Sequence, residues 1–398
     1  MIISDLHIHS SYARGCSKDL SIPNLDKYAK IKGIDLLGTG DFTHPEWFKH
    51  LEQNLSETEK GSGIYQSERG QKFIFSTEIS LMFSQGGKGR KVHLVLLAKN
   101  IDVVKQINEA LGKRWRLDYD GRPIFGTTAI EFTELMKEID SDIEIIPAHA
   151  WTPWFGIFGS MSGFDSLKEC FAEKTKHIHA IETGLSSDPE MNWRLSSLDN
   201  VNLVSFSDSH SFWPWRLGRE ATIFETKMSY NDILNAIKTG KGISSTIEVD
   251  PGYGKYHFTG HRNCGICVHP KDALSMKNIC PKCGRNLTVG VLQRVEQLAD
   301  RPENFVPKHA VPFKKIIPLS EIISGVLGVG IATKKTWETY HRLVNNLGNE
   351  MNVLLNAEEK KIKSLVGEKL SDYIMKNREG KIKVKEGCDG AYGEPILE

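Results

Sequence analysis

The chain has 398 residues, 39% of them hydrophobic and 25% charged, with a net charge of +1. Such a length allows two or three cores, and the balance is that of an ordinary globular protein, which excludes a disordered or fibrous chain. The opening MIISDLHIHS lacks a charged and apolar leader, and the most apolar stretch, 316–332, is short and carries Pro318 and Glu321, so neither a secretory signal nor a membrane span is expected.

The charge is unevenly spread. Residues 1–250 hold 28 Lys and Arg against 34 Asp and Glu, a balance of −6, whereas 251–398 hold 23 against 16, a balance of +7. The basic excess is steepest over 255–315, with 11 against 4. An acidic part suits cations and a basic part suits a polyanion; unevenly solvated surface charge is the plain alternative.

Over 1–250 strand-like segments (2–7, 34–38, 72–79, 92–98, 143–147, 178–182, 201–207) alternate with helix-like ones (25–32, 103–111, 129–139, 230–238). Repeated strand–helix units of this spacing predict a parallel sheet, closed most simply as a barrel. Gly252 and Gly254 mark a boundary, and 251–312 reads as a small module around two Cys-x-x-Cys pairs. Beyond it, 313–398 turns helical: Trp337, Tyr340, Val344, Leu347, Met351 and Leu354 recur at spacings of three and four, one face of an amphipathic helix.

Asp5, His7 and His9 alternate with Leu6 and Ile8, so a strand would project all three polar groups to one face, where they suit a divalent metal. Asp41, Glu78, His149, Glu182 and the pair Asp208 and His210 end further strand-like segments, and His93 begins one, as the return arm of a hairpin would. Carboxyl ends of strands are the face on which barrel sites are built. His177 and His179 repeat the spacing at the wrong end of a strand and are expected to be structural.

Cys264-x-x-Cys267 and, twelve residues on, Cys280-x-x-Cys283 fit a closed tetrahedral zinc site of four thiolates. Cys16, Cys170 and Cys388 are scattered, so the cysteines suggest a metal site in a reducing compartment, with no disulfide framework and a cytoplasmic location. Arg262, Lys282 and Arg285 near the module favour phosphate contact; a zinc staple that only joins domains is the other reading. Gly328 and Gly330 ahead of Lys334 and Lys335 form a turn opening a helix, which exposes backbone N–H groups to a phosphate and resembles the hairpin of helix-hairpin-helix motifs. Trp151, Trp154, Phe155 and Phe158, with Trp213 and Trp215, follow His149 and His210 and read either as core or as rings for stacking a nucleobase. Arg216 and Arg219 lie near the same end as phosphate contacts.

The Asp5-Leu6-His7-Ile8-His9 motif, the Gly-Thr-Gly-Asp41 turn, Glu78, His93, His149 and Ser-Asp208-Ser-His210 together resemble the PHP (polymerase and histidinol phosphatase) superfamily over about 1–245. That resemblance implies a distorted (β/α)7 barrel with two or three divalent metals (zinc, manganese or magnesium). It makes His7, His9, Asp41, Glu78, His93, His149, Asp208 and His210 ligands, with Asp208, His210, His7 and His9 carrying the catalysis and Asp41 and Asp208 bridging ions. Two departures, Phe42 directly after Asp41 and Arg14-Gly15-Cys16 after the first motif, leave the roles of His44, Cys16 and Glu182 open.

With HSSYARGCSKDLSIPNL, the GTGD turn, WRLGREAT at 215–222 and NCGICVHP, the whole chain resembles the endonuclease Q family. This implies nicking of DNA 5′ to deaminated bases (hypoxanthine, uracil, xanthine) and to abasic sites, one structural zinc, and a place on the nucleoid. A sliding clamp and other repair proteins are partners for which the sequence itself holds no signal. A small-molecule phosphatase like histidinol phosphatase and a non-catalytic DNA-binding protein are the alternatives; the basic module counts against the first and the full donor set against the second.

Overall fold

The computed structural model describes residues 1–397. Strand Ile2–Asp5 lies parallel to Leu36–Gly38, which lies parallel to the long strand Lys72–Gln85. That strand turns back as Lys88–Ala98, and Glu144–Pro147 pairs antiparallel to the return arm. Ala180–Glu182 and Asn202–Val204 form a parallel pair, and a bridge from Ile8 to Ser209 joins the last of these segments to the first. Ala221–Phe224 and Ile243–Glu248 extend the sheet antiparallel beyond Ile2–Asp5. The result is a distorted α/β barrel, followed by a small cysteine-bearing module and a helical C-terminal region.

Local chemistry accounts for the helices between the strands. Thr128 and Glu131 cap Ala129–Ile139 reciprocally, and Gly33 closes Ile22–Lys32 in the left-handed conformation at φ 94°. Val103, Val104, Ile107 and Leu111 on Ile101–Gly112 are buried at three- and four-residue spacing against the sheet.

Three features differ from the sequence expectation. Glu78 does not end its strand: the hairpin continues to Gln85, because the antiparallel arm stays in register with it to the turn. Phe313–Lys315 returns to the barrel sheet and pairs parallel with Ile243–Glu248, so the module is an excursion between two neighbouring strands. The long amphipathic face breaks at Gly348 and Asn349, giving Lys334–Leu347 and a separate Glu350–Leu355 capped by Asn349.

The helical region is welded to the barrel by a buried ion pair. Lys32 on the first barrel helix donates to Glu350 (2.8 Å), which also accepts from Tyr340 Oη (2.7 Å) and the Leu319 N–H (3.0 Å). Removing one partner of so sealed a pair typically costs about 3–5 kcal/mol. Lys32 also donates to the Pro214 carbonyl, in the loop that follows Asp208 and His210. Trp213 and Trp215 of that loop stack on each other and pack at 5.7 and 5.4 Å on Trp337 of Lys334–Leu347. No helix of the described residues is long and apolar enough to cross a membrane.

Candidate metal centre and nucleic-acid interface

The barrel brings donors from five segments to one end. His7, His9, Glu78 and Asp208 form one group whose ligand atoms lie within 4.8 Å of one another, and Glu78, His93 and His149 form a second that shares Glu78. His9 Nε2 lies 3.1 Å from Asp208 and 3.3 Å from Glu78, while Glu78 Oε1 lies 2.8 Å from His93 Nδ1 and 3.1 Å from His149 Nε2. Asp41, His149 and Asp208 all have positive φ (44°, 30° and 48°). Non-glycine residues adopt that conformation at a cost, which the surrounding fold must impose, and such strain clusters at functional sites.

The donors fit a metal. His7 Nε2 is buried, has no hydrogen-bond partner among the described residues, and sits 3.5 Å from Asp208 and 3.6 Å from Glu78. A buried polar atom without a partner is costly, and a cation between these three groups would satisfy it. Burial opposes charge on Glu78, but His93, Arg122 and His7 outweigh it and hold the carboxyl well below its usual range. Asp208 is likewise kept ionised against burial by His210, His9 and His7.

A second layer fixes the ligands. Glu182 receives His7 Nδ1 at 3.0 Å and the His149 backbone N–H at 2.6 Å, so one carboxylate orients a ligand in each group. Asp41 was expected to bridge ions. Its Oδ1 faces His9 Nδ1 at 2.9 Å and its Oδ2 accepts from both the N–H and the hydroxyl of Ser10 at 2.6 Å. With both oxygens used, Asp41 stands behind His9 and belongs to neither donor group. His210 is also outside both groups; its ring lies 4.5 Å from that of His9 at the rim, and its Nδ1 meets the Asp208 carbonyl at 2.9 Å. His44 stacks on Tyr12, and His179 pairs with Glu144 at the far end of its strand. Burial raises the Cys16 thiol, so it remains protonated.

A cleft of about 590 Å³ opens onto His93, His149, Asp208 and His210. Trp154, Phe155 and Tyr256 line it, with Arg216 and Arg219 on another wall. The aromatic residues thus divide: Trp154 and Phe155 face the cleft, Trp151 and Phe158 are core, and Trp213 and Trp215 join the helical region. Tyr392, from the C-terminal end, also reaches the cleft, 4.6 Å from Lys255 Nζ. Arg219 is partly engaged, donating to the Ser207 carbonyl at 3.1 Å.

In the module, His261, Cys264, Cys280 and Cys283 form the group that could hold a metal. Cys267 is a correction: it is disulfide-bonded to Cys388, which also removes the expectation of no disulfide. The reason is local geometry. Thr259–His261 and Ile266–Val268 form a hairpin, and Cys267 falls on the outgoing strand, past the turn that aims His261 and Cys264 at one point. His261-Arg-Asn-Cys264-Gly265 repeats the pattern of Cys280-Pro-Lys-Cys283-Gly284, and both glycines are left-handed, at φ 62° and 72°. That glycine after the second ligand was the signal in the sequence, hidden because Cys264 also has a cysteine three residues on. Backbone N–H groups of Lys282 and Cys283 overcome burial and lower Cys280 to about 6, which favours a thiolate.

The expected DNA contacts lie in three places. Arg262, Lys282 and Arg285 are exposed on the module. Gly328, Gly330, Lys334 and Lys335 belong to the turn between Leu319–Leu327 and Lys334–Leu347, where both lysines are exposed and Thr333 caps the second helix. Arg216 and Arg219 are at the cleft.

Residues 318–381, which include this turn, match the family model of the MJ0043 C-terminal domain. Protein MJ0043 of Methanocaldococcus jannaschii is 36% identical over 252 residues, or 62% of this chain, and the chain spans only 31% of that relative's length. YqxK of Bacillus subtilis is 29% identical over 99% of the chain and 98% of its own length. The crystal structure of the lesion-specific endonuclease PfuEndoQ from Pyrococcus furiosus matches with a TM-score of 0.88 and 33% identity, covering 100% of this chain and 95% of that one. The chain belongs to the endonuclease Q family. An endonuclease Q in complex with a 27-mer duplex carrying an abasic lesion at its active site is similar to the same degree, with a TM-score of 0.89, 34% identity, and coverage of 100% and 96%. The likeness to endonuclease Q takes in the module and the helical region together with the barrel. Two residues at the sites of this endonuclease Q family member had no signal in a linear reading, Arg122 and the ligand His261; Glu182 was visible only as a strand-ending acid.

Proposed function

We propose that the protein nicks duplex DNA on the 5′ side of deaminated bases (hypoxanthine, uracil and xanthine) and of abasic sites. The observation that carries this reading is the full-length likeness to an endonuclease Q crystallised on a lesion duplex. The chain's own residues support it. Two donor groups sharing Glu78 would hold two divalent cations, through His7, His9 and Asp208 on one side and His93 and His149 on the other. Bound there, such ions polarise the phosphodiester and lower the pKa of a water to supply hydroxide; so many imidazoles favour zinc or manganese over magnesium. Glu182 and Asp41 orient the ligands, and His210 stands at the rim of the cleft beside Asp208. Trp154, Phe155 and Tyr256 offer rings to a base turned out of the helix, a step that costs least at a weakly paired lesion. His261, Cys264, Cys280 and Cys283 would hold one structural zinc.

Work on chromosomal DNA would keep such an enzyme at the nucleoid. The test is incubation with manganese, zinc or magnesium and labelled duplexes containing deoxyinosine opposite T, uracil, an abasic site or only normal bases. A nick 5′ to the lesion, far faster than on the undamaged duplex, is expected. Brisk hydrolysis of histidinol phosphate with no nick in any duplex would replace this reading with a phosphatase.

A further inference from the structure

Among the groups that surround Glu78, one cation comes from outside the ligand set. Arg122 Nη1 donates to Glu78 Oε2 at 2.9 Å, on the oxygen opposite the one that faces His93 and His149. That bond sets the guanidinium against the one carboxylate that both donor groups share. Its carboxylate partner is sealed, whereas the arginine side chain keeps 24% of its surface open.

The segment that delivers Arg122 is built tightly. Gly121 donates its N–H to the Tyr12 carbonyl, and any side chain there would place a Cβ 2.4 Å from Asp41 Oδ2 and 2.9 Å from the Ala13 nitrogen. Asp120 accepts from the N–H groups of both Arg14 and Arg122 (3.3 and 3.1 Å), and the Pro123 carbonyl accepts from Ser80 N–H at 3.0 Å. A loop pinned on both sides of its arginine holds that side chain in one place. A guanidinium has five N–H donors in a fixed fork, and a single bond to Glu78 leaves others to a planar or tetrahedral oxyanion.

Charge accounting points the same way. Asp41, Glu78, Glu182 and Asp208 are the four carboxylates of the centre and its second layer. Two divalent cations would offset all four, and Arg122, with Arg216 and Arg219 at the cleft, would add positive charge that suits a phosphodiester. Fixed cations aimed at developing phosphoryl charge are among the larger single contributions to such reactions.

We infer that Arg122 is a catalytic residue that holds a non-bridging oxygen of the scissile phosphate against the metal centre. The inference rests on the endonuclease reading above and adds a role to a residue outside the ligand motifs.

The test compares full-length wild type, Arg122→Ala and Arg122→Lys, each loaded with manganese. On a deoxyinosine duplex, Arg122→Ala should lose about 100-fold or more in kcat, in line with loss of one oxyanion donor, with KM changed far less because most duplex contacts are remote. Bound metal, measured by mass spectrometry of the purified proteins, should be unchanged. Guanidinium chloride at tens of millimolar should restore part of the lost rate to Arg122→Ala and none to Arg122→Lys, and inorganic phosphate should inhibit Arg122→Ala more weakly than wild type. Wild-type kcat in Arg122→Ala overturns the inference, and so does metal loss without guanidinium rescue, which would make Arg122 a support for Glu78. Absence of nicking by wild type would strike the endonuclease reading instead, and phosphate binding to the metal-loaded proteins would still decide Arg122.

Discussion

The barrel centre and the cysteine module both gather metal ligands, by opposite means. The barrel's donors run from His7 to Asp208, each on a different segment save the neighbours His7 and His9, and are almost wholly buried. Hydrogen bonds to Glu182, Asp41 and Thr152 hold the imidazoles in place. The module's donors fall between His261 and Cys283 on two short turns, and Cys283 is exposed. Its own cluster of buried apolar side chains is Ala273, Cys280 and Leu287. A core that small contributes little, so there a bound ion would supply much of the folding energy, whereas in the barrel the fold supplies the site. One region would lose chemistry without its metal; the other would lose structure.

Experiments can break that contrast, and the largest effect belongs to the barrel. Asp208→Asn keeps the side chain's shape and removes a ligand charge, so the nicking rate should fall by about a thousandfold or more while duplex affinity and the thermal transition stay close to wild type. Near-normal turnover would remove Asp208 from the centre.

Glu182→Gln tests whether the second layer is what holds the barrel site ready. Because one carboxylate orients both His7 and His149, metal affinity or turnover should drop about 10- to 100-fold, visible as metal released on dialysis against a mild chelator. Unchanged metal retention would mean that the strands alone position the ligands.

In the module, Cys264→Ala with Cys283→Ala should release zinc and loosen the 259–290 segment to proteolysis, whereas Cys267→Ser should keep zinc. Unfolding around Arg262, Lys282 and Arg285 should also weaken duplex binding and flatten its dependence on salt, by about 0.9 in log–log slope for each phosphate that is no longer neutralised. Zinc released by Cys267→Ser and retained by His261→Ala would restore the four-cysteine arrangement.

The smallest expected effect concerns pH. Glu220 and Glu248 lie buried side by side behind the cleft, and Glu248 accepts from Thr183, Ser205 and Thr246. Burial lifts Glu248 from its usual 4.5 to about 8, and Glu220 rises through burial and the neighbouring Glu248. The folded state therefore holds these protons more tightly than the unfolded chain. The stability they contribute is complete below about pH 4.5 and is lost as the pH climbs through about 8. Melting temperature should fall across that window, and Glu248→Gln should flatten the fall. An identical pH profile in the variant would show that the pair does not govern it.

Strand–helix alternation, donors at strand ends and the glycine turn ahead of Lys334 were all legible in the linear chain, because each is a local property: period two, period 3.6, or a residue type at a chain reversal. What each donor touches was not. Asp41 and Glu78 both end strand-like segments in the sequence, yet Asp41 turns back onto His9 and Ser10 while Glu78, in mid-hairpin, joins two groups, a difference set by strand pairing. Arg122 lies in a loop with no motif, and only the packing of Gly121 on Asp41 and Ala13 carries it to Glu78. Cys267 satisfied the spacing of a zinc ligand, and a hairpin strand took it to Cys388, 121 residues away. Spacing along a chain fixes which residues can reach a point together; which of them do is fixed by the strands and turns on which they ride.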